Sequence, residues 1–196
     1  MVVEAHRIRT LPAATIQWVI RHADPAADAA ACAAIYAPNV TAGVSSFEEE
    51  PPDAAEMRRR IEETSARYPW LVAERDGTVA GYAYGTVHRT RRAYRWVVEV
   101  TVYVDQARHR SGVGRGLYEA LLPLLARQRL QVAVAGITLP NDASVALHEA
   151  VGFQPVGIYR DFGFKFGAWH DVGWWQARLA PLTAAPQEVL EPQRLG

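Results

Sequence analysis

The chain has 196 residues, 49% of them apolar, and its 21 basic and 21 acidic residues cancel to zero net charge, which suits one well-buried domain. This balance excludes the uniformly positive surface that holds a phosphodiester backbone, so nucleic acid is not an expected partner. No apolar run approaches the roughly 20 residues that span a bilayer, and no secretory signal is recognisable, so we expect a cytoplasmic protein without a membrane partner.

In chain order, the periodicity and turn signals predict a strand, two helices, a hairpin, a further strand, a helix, a strand, a short helix and a final pair of strands. The predicted strands span residues 16–21, 70–74, 78–88, 93–104, 131–138, 153–166 and 170–179. The predicted helices span residues 24–36, 53–68, 112–129 and 141–151. The segments 1–15 and 181–196 lack firm periodicity, so we expect an N-terminal extension and a loose C-terminal tail around a domain over 16–180.

Local signals set some of these bounds. Asp24 before Pro25 is typical of a helix start, and Pro38 should end that helix near Tyr36. The dipeptide at residues 76–77 is Asp-Gly, which supplies the positive φ angles that a tight hairpin turn needs.

The sequence HRSGVGRG at residues 109–116 joins a strand to a leucine-rich helix. Its glycines lack the spacing of a dinucleotide-binding fingerprint, and no Gly-Lys-Ser/Thr follows, which excludes the Rossmann and P-loop interpretations. Without Cβ atoms, the turn lets an anion such as a pyrophosphate approach unpaired N–H groups at the positive end of the helix dipole. A tight turn that needs glycine for its conformation alone explains this stretch equally well.

With its context, HRSGVG at 109–114 resembles the coenzyme A pyrophosphate loop of the GNAT superfamily of N-acetyltransferases, although His109 replaces the usual Gln or Arg. LPNDASVALHEAVGF at 139–153 resembles that superfamily's second signature. FEEEP at 47–51, EVTVYV at 99–104 and GFKFGAWHDVGWWQ at 163–176 further resemble the phosphinothricin acetyltransferase family, with its relatives acting on methionine sulfone and sulfoximine. The resemblance implies an α/β (α+β) GNAT fold: a mixed, mostly antiparallel twisted sheet of about seven strands with helices on both faces.

The resemblance also implies acetyl-CoA as acetyl donor and a small amino acid analogue as amine acceptor. Such a transfer needs a base for the ammonium proton, an oxyanion donor and an acid for the departing thiolate. Glu99 takes the family's base position; the alternative is a place on the solvated face of its strand. His148 lies where many GNAT enzymes carry a tyrosine near the thioester sulfur, so it would protonate the thiolate or share the base role; a structural histidine is the alternative.

Further contacts are implied for the cofactor and the acceptor. The cofactor residues are Val102, Tyr103, Val104, Arg110, Ser111, Gly112, Val113, Gly114, Arg115 and Asn141. The acceptor residues are Phe47, Arg89, Arg91 and Tyr94. Guanidinium forks suit a carboxylate or a phosphinate, whereas a solvated basic loop is the alternative for any one arginine. The acidic Glu48 and Glu49 speak against tight phosphinate recognition.

The natural acceptor stays open, since phosphinothricin, methionine sulfone or sulfoximine and ordinary amino acids all present an α-amine beside a carboxylate. Another small amine, a protein N-terminus, or a non-catalytic role as a coenzyme A sensor are the alternatives. The family implies a homodimer. The single cysteine, Cys32, has no partner for a disulfide, and metal sites need several Cys or His at set spacings, so we expect a core residue and no metal.

Overall fold

A seven-stranded sheet forms the centre of the computed structural model, which describes residues 18–192. Residues 1–15 and the first two positions of the predicted first strand lie outside that range. The strands are β1 (Val19–His22), β2 (Trp70–Arg75), β3 (Thr78–Val87), β4 (Val97–Val104), β5 (Val132–Leu139), β6 (Gln154–Lys165) and β7 (Ala168–Arg178). Their order across the sheet is β1-β2-β3-β4-β5-β7-β6, and only β4 and β5 pair in parallel.

Within residues 18–192, four α-helices flank this sheet. They are α1 (Pro25–Thr41), α2 (Ala54–Ser65), α3 (Val113–Arg127) and α4 (Asp142–Ala150). Helices α1 and α2 pack with Trp70, Val72 and Tyr82 in one core, whereas α3 packs against the other face of the same strands. The predicted fold, mixed and mostly antiparallel with helices on both faces, is therefore confirmed.

Several local predictions are also confirmed. The Asp24 side chain accepts hydrogen bonds from the N–H groups of Ala26 and Ala27, which caps α1. Asp76 and Gly77 adopt φ angles of 52° and 74° and close the β2–β3 hairpin. Cys32 is fully buried in α1.

The predicted end of the first helix is wrong. Helix α1 passes through Pro38 and ends at Thr41, and the Pro38 carbonyl accepts from the N–H groups of Ala42 and Gly43. Proline removes the hydrogen bond of its own N–H and its ring crowds the carbonyl four residues earlier, which costs stability but does not by itself end a helix. The last turn persists because Val40 is buried in the core and the Asn39 side chain donates to a carbonyl of the preceding turn.

The start of β4 and the character of the tail also differ from expectation. Residues 92–94 form a 3-10 turn, so β4 begins at Val97 rather than at residue 93. The segment 187–190 is not loose: the Gln187 carbonyl accepts from Trp96, Glu188 pairs with Arg95, and Val189 packs against the core.

Candidate active site

A gap between β4 and β5 opens into a cleft. The two strands pair only between Val97–Glu99 and 132–134, yet they continue to Val104 and Leu139. A cleft of about 840 Å³ fills the space where they separate, between the N-terminal ends of α3 and α4. Strands that separate in this way leave the facing backbone N–H and C=O groups available to a ligand, since such groups otherwise need a partner.

The N-terminus of α3 opens into this cleft without a side-chain cap. The first intrahelical hydrogen bond runs from the Gly116 N–H to the Gly112 carbonyl, at 2.9 Å. The N–H groups of Val113, Gly114 and Arg115 precede it and have no intrahelical acceptor. These groups and the helix dipole attract negative charge, so the turn can bind an anion.

Two glycines of this turn have separate structural roles. Gly112 has a φ of 83°, a left-handed conformation that glycine adopts without strain. A Cβ on Gly114 would lie 2.9 Å from Cδ2 of Leu147, so glycine lets α3 approach α4 closely. The turn therefore needs glycine for its conformation and also exposes main-chain donors. The two interpretations of the sequence, a conformational turn and an anion-binding turn, are compatible.

The structure brings nearly all the predicted cofactor residues together. The residues that line the cleft are Val102, Tyr103, Val104, Arg110, Gly112, Val113, Gly114, Arg115 and Asn141. Ser111 does not line it: its hydroxyl donates to the Arg108 carbonyl, and its own carbonyl accepts from the Trp18 indole. Ser111 thus stabilises the turn through these two hydrogen bonds on the side away from the cleft.

His109 and Asn141 each bond to the main chain beside the cleft. A ring nitrogen of His109 lies 3.2 Å from the Val104 carbonyl and ties the turn to the end of β4. The Asn141 side chain accepts from the Ser144 N–H and caps α4 while it also lines the cleft. The predicted cap and a position beside a ligand are therefore compatible.

His148 lies in the cleft wall as part of a buried pair with Tyr118. The Tyr118 hydroxyl is 2.9 Å from Nε2 of His148, and Nδ1 is 2.7 Å from the Ser144 carbonyl. His148 is only 4% exposed, and this burial lowers the pKa of its imidazole despite the bond to Ser144. A neutral ring that donates from Nδ1 must accept at Nε2, so Tyr118 is the donor. Burial raises the pKa of Tyr118, which keeps that hydroxyl protonated.

Glu99 does not line the cleft but lies beside it. Its carboxylate is on the same side of β4 as Thr101 and Tyr103, which do line the cleft, and two residues along a strand span about 7 Å. Its side chain is 33% exposed, and Oε2 lies 3.2 Å from Nδ1 of His88. Glu99 is therefore half-buried and partnered, two positions before Thr101, the first cleft-lining residue on its side of β4.

The predicted acceptor residues fall into two places. Arg89 lies over the ring of Tyr94, with Cζ 6.0 Å from its centroid, and Tyr94 contacts His88 beside Glu99. Arg91 precedes the same 3-10 turn and is exposed. Phe47 lies apart from them, on Gly163 of the β6–β7 hairpin, where an added Cβ would be 2.3 Å from its ring.

One carboxylate of the acidic loop after Phe47, that of Glu48, is paired with a cation. Glu48 forms a two-pronged ion pair with Arg60 at 2.8 and 3.1 Å and accepts from the Tyr36 hydroxyl. Because this charge is already compensated, Glu48 presents a weaker obstacle to an anionic acceptor than the sequence suggested.

Sequence reasoning missed three residues of this region: Tyr118, His88 and Lys165. Tyr118 is one turn after Gly114 on α3, but the leucines around it suggested a purely apolar face. Lys165 donates from Nζ to the carbonyls of Val40 and Ser46, at 2.6 and 2.7 Å. It is the only lysine in the sequence, and that was the available signal.

Residues 18–192 hold no group of three or more His, Cys, Asp or Glu arranged to bind a metal ion. None of the helices in this range is both long enough and apolar enough to cross a bilayer.

Comparison with known proteins identifies the class. The acetyltransferase (GNAT) domain family matches residues 20–174, which is most of the chain. The chain therefore belongs to the GNAT family of acetyltransferases, and it is an acyltransferase enzyme.

Individual relatives narrow this class. The phosphinothricin N-acetyltransferase of Streptomyces viridochromogenes is 45% identical over 164 residues, covering 84% of this chain and 89% of that protein. The L-methionine sulfoximine/L-methionine sulfone acetyltransferase of Pseudomonas aeruginosa is 37% identical over 163 residues, covering 82% and 94%. A phosphinothricin acetyltransferase from Sinorhizobium meliloti, solved in complex with acetyl-CoA, superposes with a TM-score of 0.82 at 35% identity, covering 87% of this chain and 94% of that one.

Proposed function

We propose that this enzyme transfers the acetyl group of acetyl-CoA to the α-amino group of a small amino acid or amino acid analogue. The observation that carries the proposal is the β4–β5 gap, which has an uncapped helix N-terminus at one end and Glu99 beside the other. Relatives named for phosphinothricin and for methionine sulfoximine and sulfone support this acceptor class, and those compounds are the first candidates.

The cofactor fits the groups that line the gap. The free N–H groups at 113–115 would bind the diphosphate, and Arg110 lies at the rim of the same turn. The backbone of 102–104 would bond the pantetheine arm, because that edge of β4 has no strand partner in the described residues. Bound in this way, acetyl-CoA would supply an activated acyl group for transfer to the acceptor amine.

The ammonium proton and the leaving thiolate would be handled on opposite sides of β4. Glu99 would take a proton from the acceptor ammonium, directly or through a water. On the other side, the Tyr118 hydroxyl would turn from Nε2 of His148 to donate a hydrogen bond to the sulfur, so that coenzyme A departs as a thiolate while Glu99 keeps the ammonium proton. A main-chain N–H among residues 102–104 would stabilise the developing oxyanion.

A thiol-release assay with acetyl-CoA and a panel of amines tests this function. The panel holds L-phosphinothricin, methionine sulfone, methionine sulfoximine, common L-amino acids and a peptide with a free N-terminus. We expect turnover with one or more of the small carboxylate-bearing amines and a fall of at least a hundredfold in kcat for Glu99→Gln. Glu63→Gln is the control, because Glu63 is an exposed residue of α2 that pairs with Arg59 and does not line the cleft.

Two outcomes would contradict the proposal. Absence of thiol release with every amine, although coenzyme A binds, would favour a non-catalytic sensor. Turnover of the peptide alone would favour a protein N-terminus as acceptor.

The acceptor residues have a test of their own. If Arg91 binds the acceptor carboxylate, Arg91→Ala should raise the acceptor KM about tenfold and leave the KM for acetyl-CoA unchanged. The matching variant is Arg58→Ala, on an exposed face of α2. An unchanged acceptor KM in Arg91→Ala would remove Arg91 from the site; Phe47, Arg89 and Tyr94 can be tested in the same way.

We further propose that the enzyme is a cytoplasmic homodimer. Strand β6 lies at an edge of the sheet and exposes apolar side chains that a second copy would cover. The exposed apolar residues of β6 and β7 include Val156, Ile158, Phe162, Phe164 and Trp169. Light scattering should give twice the chain mass of 21.7 kDa, and Phe164→Glu should give the monomer. A monomeric wild-type protein would refute the dimer.

A further inference from the structure

The geometry points to His88 as a positioning residue for Glu99. We propose that its Nδ1–H donates to the Glu99 carboxylate and holds that carboxylate in the orientation that a base for the acceptor amine needs. This inference rests on the proposed function, in which Glu99 is the base.

The register of the sheet places the two side chains together. His88 directly follows β3, whose last residues pair with β4 so that Thr86 lies opposite Glu99 and Val87 opposite Val98. Nδ1 of His88 is 3.2 Å from Oε2 of Glu99. An ionised carboxylate can only accept a hydrogen bond, so the proton of this contact lies on Nδ1.

Aromatic rings fix the imidazole from two other elements. The Trp174 ring of β7 meets it edge-on at 5.6 Å, and Tyr94 of the 3-10 turn does so at 6.3 Å. Trp174 in turn packs against Gly136: three of its ring atoms lie 3.4 to 3.6 Å from the position that a Cβ atom on residue 136 would occupy. His88 is 16% exposed in its side chain, so its ring has little freedom to turn.

The hydrogen bond from His88 restricts the rotamer of the Glu99 side chain. A carboxylate that is one third exposed can adopt several rotamers, and only some of them face an amine at the end of the cleft. A donor on a fixed ring selects one rotamer. His88 and Arg89 also form part of the wall of a second, smaller cavity of about 240 Å³.

Two substitutions separate the hydrogen bond from the packing. In His88→Phe the ring contacts with Trp174 and Tyr94 remain, but the donor is lost. In His88→Asn the ring is lost, but the amide nitrogen occupies nearly the position of Nδ1 and can still donate to Glu99.

We expect kcat to fall at least tenfold in His88→Phe, with an unchanged KM for acetyl-CoA, and to stay within about threefold of the wild type in His88→Asn. In a Glu99→Gln background, His88→Phe should cause no further loss. His22→Asn, on the edge strand β1 and outside the cleft lining, controls for loss of an imidazole and should keep the wild-type kcat.

An unchanged kcat in His88→Phe would overturn the inference. An equal loss in His88→Asn and His88→Phe would overturn it as well, because packing would then be the cause. These results differ from failure of the proposed function, in which Glu99→Gln itself would keep full turnover. Loss in Glu99→Gln with no loss in His88→Phe would leave the function standing and remove only His88.

Discussion

Replacing Lys165 with methionine tests how the β6–β7 hairpin holds the loop beside the cleft. Lys165 is the only lysine in the sequence and is 6% exposed. Its ammonium donates to the carbonyls of Val40 and Ser46, whose preceding residues, Asn39 and Ser45, line the cleft. Methionine keeps an unbranched apolar stem of similar length but removes both donors.

The magnitude follows from two opposing effects. Each buried carbonyl that loses its donor costs about 1–3 kcal/mol. Against this, burial lowers the pKa of the Lys165 ammonium, which Glu48 and Glu49 only partly oppose, so part of the cost of burying the charge is recovered. We expect the free energy of unfolding to fall by about 2 kcal/mol. Asn39 and Ser45 line the cleft and the proposed acceptor residue Phe47 follows Ser46, so the acceptor KM should also rise about fivefold, with little change for acetyl-CoA.

Urea denaturation and steady-state kinetics measure both effects. Arg58→Met is the matched variant, since it removes an exposed cation whose ion pair with Glu62 is screened by solvent and contributes little to stability. A Lys165→Met protein with the wild-type denaturation midpoint and the wild-type acceptor KM would refute the reasoning, because the two carbonyl contacts would then stabilise nothing.

Three further predictions concern packing, the tail and pH. Gly163→Ala places a methyl group 2.3 Å from the Phe47 ring, so the ring must move. We expect the free energy of unfolding, measured by thermal denaturation, to fall by about 1–3 kcal/mol and the acceptor KM to rise. An unchanged acceptor KM would show that Phe47 does not contact the acceptor. Removal of residues 187–196 should lower the free energy of unfolding, measured in urea, by about 1–2 kcal/mol, because Trp96 and Arg95 lose their partners in the tail. It should also shift the tryptophan fluorescence to the red as Trp96 becomes exposed. Identical spectra would contradict the contact between the tail and Trp96. The lowered pKa of His148 means that the unfolded chain protonates there first, so stability should fall as the pH drops below about 6.5, by up to roughly 1.4 kcal/mol per pH unit. His148→Gln should lack that component, and an identical pH dependence in both proteins would refute it.

The parts of the molecule that the sequence predicted well are those with local signals. The Asp24 cap, the Asp-Gly hairpin and the strand-to-helix turn each depend on residues within a few positions of one another. The resemblance then brought distant motifs together, and the structure gathers the residues at 102–104 and 110–115, except Ser111, around one cleft.

The parts that it missed depend on contacts between distant segments. Tyr118 and His148 are 30 residues apart, and Lys165 meets carbonyls 119 and 125 residues away, so no local pattern marks them. The continuation of α1 past Pro38 also depends on contacts with distant segments, because burial of Val40 in the core stabilises the last turn. Exposure of Glu99 also depended on how its neighbours pack, which periodicity in β4 does not reveal.

A crystal structure with bound coenzyme A tests the central claim most directly. We predict diphosphate oxygens within hydrogen-bonding distance of the N–H groups at 113–115, and the sulfur in the β4–β5 gap on the side that Glu99 can reach. A diphosphate bound elsewhere, or a sulfur remote from the Glu99 carboxylate, would contradict this account of the active site.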